Sequence, residues 1–148
     1  MAHVLDHVGA AIVEAIKAAD TEVGKRVGQR RFFPQSKSVR ADAIVFAGEE
    51  DVEAISQAPV TYDRTVAVSI VGRFKGGAAD VETRAYRFQI EIEEVMASSM
   101  DLGGLAQAVF LRRSSTSTDG SGASALLYRT IEYAVIVSTR DGYPETAI

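Results

Sequence analysis

The spacing of the apolar residues changes abruptly in the middle of this chain. Between Thr61 and Phe74 apolar residues alternate with small or polar ones, a period of two that is typical of a strand. After Gly76 and Gly77 the period becomes three to four residues, which predicts a helix that Asp80 is placed to cap. The stripe of this helix consists of Val81, Ala85, Phe88, Ile92 and Val95.

The flanking segments predict the remaining elements. An amphipathic helix is expected from Val4 to Ala19, and short strands are expected at 26–33, 43–47 and 106–112, with a long strand at 125–139. The Ser/Thr/Gly-rich segment 114–124 is predicted to be a mobile loop. This order predicts a single α+β domain at 1–148, with an antiparallel or mixed sheet of about four to five strands and two main helices packed on it.

Length and composition narrow the class of protein. The 148 residues suit one domain. The net charge of −4 disfavours binding of nucleic acid through its phosphates. The absence of cysteine excludes disulfides, thiolate metal centres and thiol nucleophiles. No segment approaches the ~20 apolar residues of a membrane span, and the first residues lack the pattern of a secretion signal, so a soluble cytoplasmic protein without membrane contact is expected.

Few residues suggest catalysis or ligand binding. His3 and His7 share a helical face and could share a metal, but a catalytic zinc site needs three protein ligands, so incidental exposed histidines are the favoured interpretation. The glycine turn 72–77 lacks the Gly-Lys-Ser/Thr ending of a phosphate-binding loop. Three glutamates of the central helix are typical of a solvated face: Glu91, Glu93 and Glu94. No catalytic, cofactor-binding or metal-binding residue is predicted, and no cofactor is expected.

Charge is sharply polarised along the chain. Residues 23–41 contain six bases and no acid, whereas residues 42–63 contain six acids and no base. Opposite patches of one subunit can pair head to tail with the next copy; alternatively, the two runs neutralise each other within the subunit. The first alternative makes the following residues candidates for a subunit interface: Arg26, Arg30, Arg31, Lys37, Arg40, Glu49, Glu50, Asp51 and Glu53.

A family resemblance covers nearly the whole chain. It is carried by the opening helix, the Arg-Val-Gly-Gln-Arg-Arg-Phe-Phe-Pro segment from Arg26, the Ala-Ile-Val-Phe segment from Ala43, and Tyr-Asp-Arg-Thr from Tyr62. The central helix from Ala79 and the 128–135 segment before Asp-Gly-Tyr-Pro complete it. This order resembles the tail terminator proteins of long-tailed bacteriophages, also called minor tail protein U-like or tail completion proteins.

The resemblance implies a structural virion protein without an active site. Six subunits would form a ring on the last ring of tail-tube protein, stop tube polymerisation and offer a surface to head-completion or connector proteins, with DNA only passing through the lumen. The basic run would then face a neighbouring subunit. The loop would order on the tube or connector through candidate docking residues Ser114, Thr116, Thr118, Asp119 and Ser121.

Two other hypotheses stay open. A different neck or head-tail joining protein would share the ring but bind on the portal side. A small homo-oligomeric ligand-binding domain or enzyme would use the His3/His7 pair or the glycine turn, and it would need a concave pocket with converging polar groups.

Overall fold

The computed structural model describes residues 2–30, 41–99, 101–119 and 125–148. Within these ranges two helices and six strands form one α+β domain, as predicted, with slightly more strands than expected. The elements are α1 (Val4–Ala18), β1 (Val27–Gln29), β2 (Ala41–Gln57), β3 (Val60–Gly76), α2 (Ala78–Ser98), β4 (Ala108–Asp119), β5 (Ala125–Arg140) and β6 (Tyr143–Ala147). The sheet order is β1-β2-β3-β5-β4, and β6 pairs with the end of β5.

Strand β3 lies at the centre of the sheet and pairs with neighbours on both sides. It is antiparallel to β2 and to β5 along nearly its whole length, while β1 adds a parallel pair at the far side of β2. Its alternate residues Val66, Val68, Ile70 and Phe74 are fully buried, as the period of two predicts. The core therefore lies on one face of the sheet, under the helices.

The helices form where the sequence predicted them, and each buries its apolar stripe. In α1 this stripe includes Val8 and Ile12, and the Nδ1 atom of His3 caps the helix by accepting a hydrogen bond from the Leu5 N–H at 3.1 Å. In α2 the N-cap is Gly77 rather than Asp80, which lies in the first turn where its charge complements the helix dipole. Neither helix of the described chain is long and apolar enough to cross a membrane.

Strand β2 is much longer than the 43–47 segment predicted. It continues past Gly48 because the acidic residues still pair with β3, Glu49 with Ala67 and Asp51 with Thr65. A bulge between Ala47 and Glu49 accommodates the glycine. Acidic residues are compatible with this part of the strand because the side chains of Glu49, Asp51 and Glu53 are exposed and Glu50 forms an ion pair with Arg64, while the backbone ladder stays intact.

The prediction of a loop at 114–124 is wrong for residues 114–119, which form a strand. Ser114, Thr116, Thr118 and Asp119 belong to β4 and pair with β5 in register. A Ser/Thr-rich segment can form this strand because an edge strand needs its backbone ladder more than a buried side-chain face, and threonine favours the extended backbone. Ser121 lies outside the described residues. Of the strand predicted at 26–33, β1 forms Val27–Gln29, residues 31–33 lie outside the described residues, and β6 has no counterpart in the prediction.

Gly72 lies where β3 passes closest to the aromatic core. A Cβ at this position would lie 2.6 Å from the Phe88 ring and 2.8 Å from the Phe74 ring. Both rings are fully buried, and their centroids are 5.4 Å apart in an edge-to-face contact. The glycine is therefore needed for the approach of α2 to the sheet.

We expect Gly72→Ala to lower the free energy of unfolding by about 1–3 kcal/mol, because the added methyl group overpacks two rings that cannot move into solvent. Urea denaturation measures this change. Gly77→Ala is the control, since a Cβ there meets nothing within 4 Å, and it should cost less, about 0.5 kcal/mol from the weaker N-cap preference of alanine. Equal destabilisation of the two variants would contradict this account of the packing.

Candidate functional site

The face of the sheet opposite the helices, which we call the open face, carries large apolar side chains. Phe46 on β2 and Phe110 on β4 are 48% and 55% exposed. Ile44 and Val71, which pair across β2 and β3 on the same face, are only partly buried. Among the described residues no helix covers this face. It therefore exposes apolar area of the kind that proteins bury against a partner.

A depression of about 630 Å³ lies on the open face between β2 and β4. Carboxylates form one side and two guanidinium groups form the other, and Arg113 donates from Nε to Glu132 Oε2 at 2.7 Å. Small-molecule pockets are usually enclosed and mostly apolar, whereas this depression is open and charged, so it suits contact with a charged protein surface. It is lined by Glu49, Glu50, Asp51, Thr65, Ala67, Arg112, Arg113 and Glu132.

Two long backbone edges border this face. Strand β1 pairs with β2 only from Ala43 to Val45, and no other described strand pairs with the outer side of β2 from Phe46 to Gln57. We call this segment the acidic edge, because it contains Glu49, Glu50, Asp51 and Glu53. At the opposite border, the outer side of β4 likewise has no described strand beside it. We call β4 the basic edge, because Arg112 and Arg113 lie at its centre.

The predicted interface residues of the acidic run divide into two groups. Glu50 is half-buried and forms an ion pair with Arg64 of β3 at 2.7 Å, and Arg64 also donates to Thr139 on β5. Glu49, Asp51 and Glu53 are exposed. Their carboxylates are thus open to a partner, which the strand pattern alone did not reveal.

The predicted interface residues of the basic run contact their own subunit where they are described. Arg26 donates from Nε to the Ala41 carbonyl at 2.7 Å, and Arg30 forms an ion pair with Asp6 of α1. Neither pairs with a carboxylate of the acidic edge. Arg31, Lys37 and Arg40 lie outside the described residues.

Asp42 belongs to the acidic run in sequence, but it is a structural residue. It is 2% exposed, and it accepts hydrogen bonds from Arg73 Nε at 2.9 Å and from the Arg73 terminal nitrogen at 2.5 Å. These hydrogen bonds raise the pKa of the Arg73 guanidinium. The pair joins the first residues of β2 to the end of β3.

We expect Asp42→Ala to lower the free energy of unfolding by about 3 kcal/mol, because it leaves the largely buried Arg73 without its carboxylate. Asp51→Ala is the matched control from the same strand and should change stability by less than about 0.5 kcal/mol, since Asp51 is exposed. Thermal or urea unfolding of both variants decides the matter. A similar decrease in the free energy of unfolding of both variants would mean that the whole acidic run stabilises the subunit.

Two of the predicted docking residues contact an arginine that sequence reasoning missed. Arg129 of β5 donates to Ser114 Oγ at 2.9 Å, to Thr116 Oγ1 at 2.6 Å and to Gln89 Oε1 of α2 at 2.7 Å. Its guanidinium also lies 5.2 Å from the centre of the Tyr86 ring. Alternate residues of the Ser/Thr segment therefore face the helix. A period of two in this segment was the sequence signal that could have indicated a strand.

Glu91 does not belong to a solvated face, contrary to the sequence interpretation. Its Oε2 accepts a hydrogen bond from the Glu22 N–H at 2.9 Å, and Oε1 is buried without a hydrogen-bond partner. Burial, opposed by that hydrogen bond and reinforced by the nearby Glu22 carboxylate, raises the pKa of Glu91. The nearby Arg87 guanidinium offsets part of this rise in the pKa of Glu91. The other two glutamates differ, since Glu93 is half-buried and Glu94 is exposed.

Two tyrosines also have raised pKa values. Burial raises the pKa of Tyr133 to about 12, with a smaller effect from the Glu93 carboxylate. The hydrogen bond from Tyr62 to Asp141 raises the pKa of the half-buried Tyr62. Both phenols therefore stay protonated at neutral pH and serve packing or hydrogen bonding.

We expect the Glu91→Gln variant to gain stability relative to the wild type as the pH rises from about 4.5 towards 7. A raised pKa means that the folded state binds a proton more tightly than the unfolded chain, so ionisation of Glu91 above its ordinary pKa of 4.5 disfavours folding. Urea midpoints at several pH values measure this difference. Glu94→Gln, on the exposed side of the same helix, is the control, and parallel profiles for wild type and Glu91→Gln would contradict the prediction.

His3 and the glycine turn singled out in the sequence are used by the fold, whereas His7 is exposed. His3 caps α1, and the glycine turn leads from β3 into α2. Within the described ranges, no group of three or more histidine, aspartate or glutamate side chains has the arrangement of a metal site.

Two solved structures have a distant similarity to this chain. The sequence matches no protein-family model and no curated protein. A chain from the virion of a native gene transfer agent particle is 14% identical, with 87% of this chain and 94% of that chain covered and a TM-score of 0.49. A second solved chain is 15% identical, with 88% and 93% covered and a TM-score of 0.43. At these values neither supports a statement about activity or partners.

Proposed function

We propose that this protein is a structural subunit of a phage-like virion and that it acts as a tail terminator. Six copies form a ring on the end of the tail tube, stop its polymerisation and present a surface for head-tail joining. One observation carries the proposal: both helices pack on the same face of the sheet, while the open face and two long strand edges have no described cover.

An uncovered strand edge is a strong assembly element, because its N–H and C=O groups can hydrogen-bond to another strand. A contact between two different surfaces of one subunit is heterologous, and it generates a ring when the rotation between copies closes. The acidic and basic edges lie on opposite borders of the sheet. This arrangement suits a subunit that repeats around an axis.

The charge of the chain also suits a channel through which DNA passes. A net charge of −4 gives an average field that repels phosphate, so DNA is not held. In this proposal the protein works by surface contact, without catalysis or a cofactor, and it resides in the virion at the head-proximal end of the tail. Its partners are its own copies, the tail-tube protein and a head-completion or connector protein.

The test is polymerisation of the tail-tube protein with and without this chain, followed by electron microscopy of tube lengths. We expect addition of the protein to shorten the tubes and to place a six-fold ring at one end of each. Serum albumin at equal mass is the control. Unchanged tube lengths without end-bound density would overturn the proposal, and rings that bind a connector but not tubes would assign the protein to the neck instead.

A further inference from the structure

The two edges that no described strand covers differ in charge and match in length. The acidic edge extends from Phe46 to Gln57 along β2, and the basic edge is the 12-residue strand β4. We propose that the acidic edge of one copy pairs, strand to strand, with the basic edge of the next, so that neighbouring subunits share one continuous sheet. This inference rests on the ring proposed above and names the surfaces that close it.

Strand direction agrees with such a junction. Each of the pairs β2–β3, β3–β5 and β5–β4 is antiparallel, so β2 and β4 run in opposite directions at the two borders of the sheet. Rotation about an axis along the strands preserves these directions. The β4 strand of one copy therefore meets the β2 strand of the next in the antiparallel sense, which continues the pattern inside the subunit.

The charges select a register for this junction. Arg113 faces the same side of the sheet as its cross-strand partner Glu132, and its side chain is 78% exposed. Asp51 faces that same side. It is aligned with Thr65 and through it with Ile136, which lies four residues from Glu132 on β5 and therefore on the same face of the sheet. With Arg113 opposite Asp51, its diagonal neighbours on the next subunit are also carboxylates, Glu49 and Glu53.

Protection against aggregation does not account for this charge pattern. Charged residues on edge strands commonly prevent unwanted pairing, and like charges on both borders would do so best. Here the two borders carry opposite charges. Acidic edges repel each other, as do basic edges, so the favoured junction is acidic with basic, which is head to tail.

Two charge variants test the junction. E49K/D51K reverses the charge at Asp51 and at one of its two neighbouring carboxylates, so that lysine lies opposite Arg113, and R112E/R113E makes both borders acidic. We expect each variant alone to lose self-association at low ionic strength, and an equimolar mixture to regain it because the two kinds of subunit can alternate. Light scattering over a concentration series measures the mass. E82K/E94K is the control, since it makes the same charge change as E49K/D51K on the exposed surface of α2 and should associate like the wild type.

Cross-linking gives a second measurement that does not depend on charge. The chain has no cysteine, so Asp51→Cys and Arg113→Cys each introduce a single thiol. On oxidation we expect no product from either variant alone, a dimer from their mixture, and a ladder of oligomers from the double variant. Three results would overturn the junction. These are a disulfide-linked dimer from one single variant alone, no dimer from the mixture, and charge variants that associate like the wild type.

These outcomes separate the junction from the proposed function. Variants that still terminate tubes but give no cross-linked ladder would refute edge pairing and leave the terminator role standing. A ladder from a protein that leaves tube length unchanged would establish the junction and refute the terminator role.

Discussion

The double pairing of β3 is the interaction on which the rest of the structure depends. Because β2 and β5 flank β3 along almost its full length, the buried side chains of β3 lie at the centre of the surface on which both helices pack. The Phe74–Phe88 contact then positions α2 over the sheet. Strands β1, β4 and β6 are added at the borders of this three-stranded unit. Their positions relative to β3 therefore decide which strand edges are exposed.

The concentration of both helices on one face separates the residues that stabilise the fold from the exposed ones. On the covered face, burial of aliphatic and aromatic side chains stabilises the fold. On the open face, the Asp42–Arg73 pair joins β2 to β3, and beyond it the surface carries exposed aromatic residues and charges. Changes to the exposed residues are therefore separable from changes to the fold, a property that surface contacts between subunits require.

The sequence predicted the centre of the fold better than its borders. The period of two in β3 and the helical stripe of α2 are strong because each element has one buried face. Strand β2 beyond Ala47 and strand β4 beyond Arg113 lack that signal, since neither has a continuous buried face there and backbone pairing with a neighbour holds them. No local pattern reports such pairing.

The candidate surfaces were predictable only in part, because the exposure of a residue depends on strand pairing that the sequence does not show. The run of carboxylates was visible in the sequence, whereas the exposure of Asp51 and the burial of Asp42 depend on which face and which end of β2 each residue occupies. The charges opposite them in the proposed junction, Arg112 and Arg113, lie in a strand that was predicted to end at residue 112. Their significance appears only once the two borders of the sheet are known.

The sheet order also has a consequence for the nascent chain. Strands β2 and β3 are adjacent in sequence and form a hairpin, so the border that carries the carboxylates can exist early in synthesis. Strand β4, by contrast, has no partner until β5, which follows it, has emerged and docked on β3. A partly synthesised subunit therefore displays only one of the two complementary borders, and growing chains on neighbouring ribosomes cannot associate through both before they are complete.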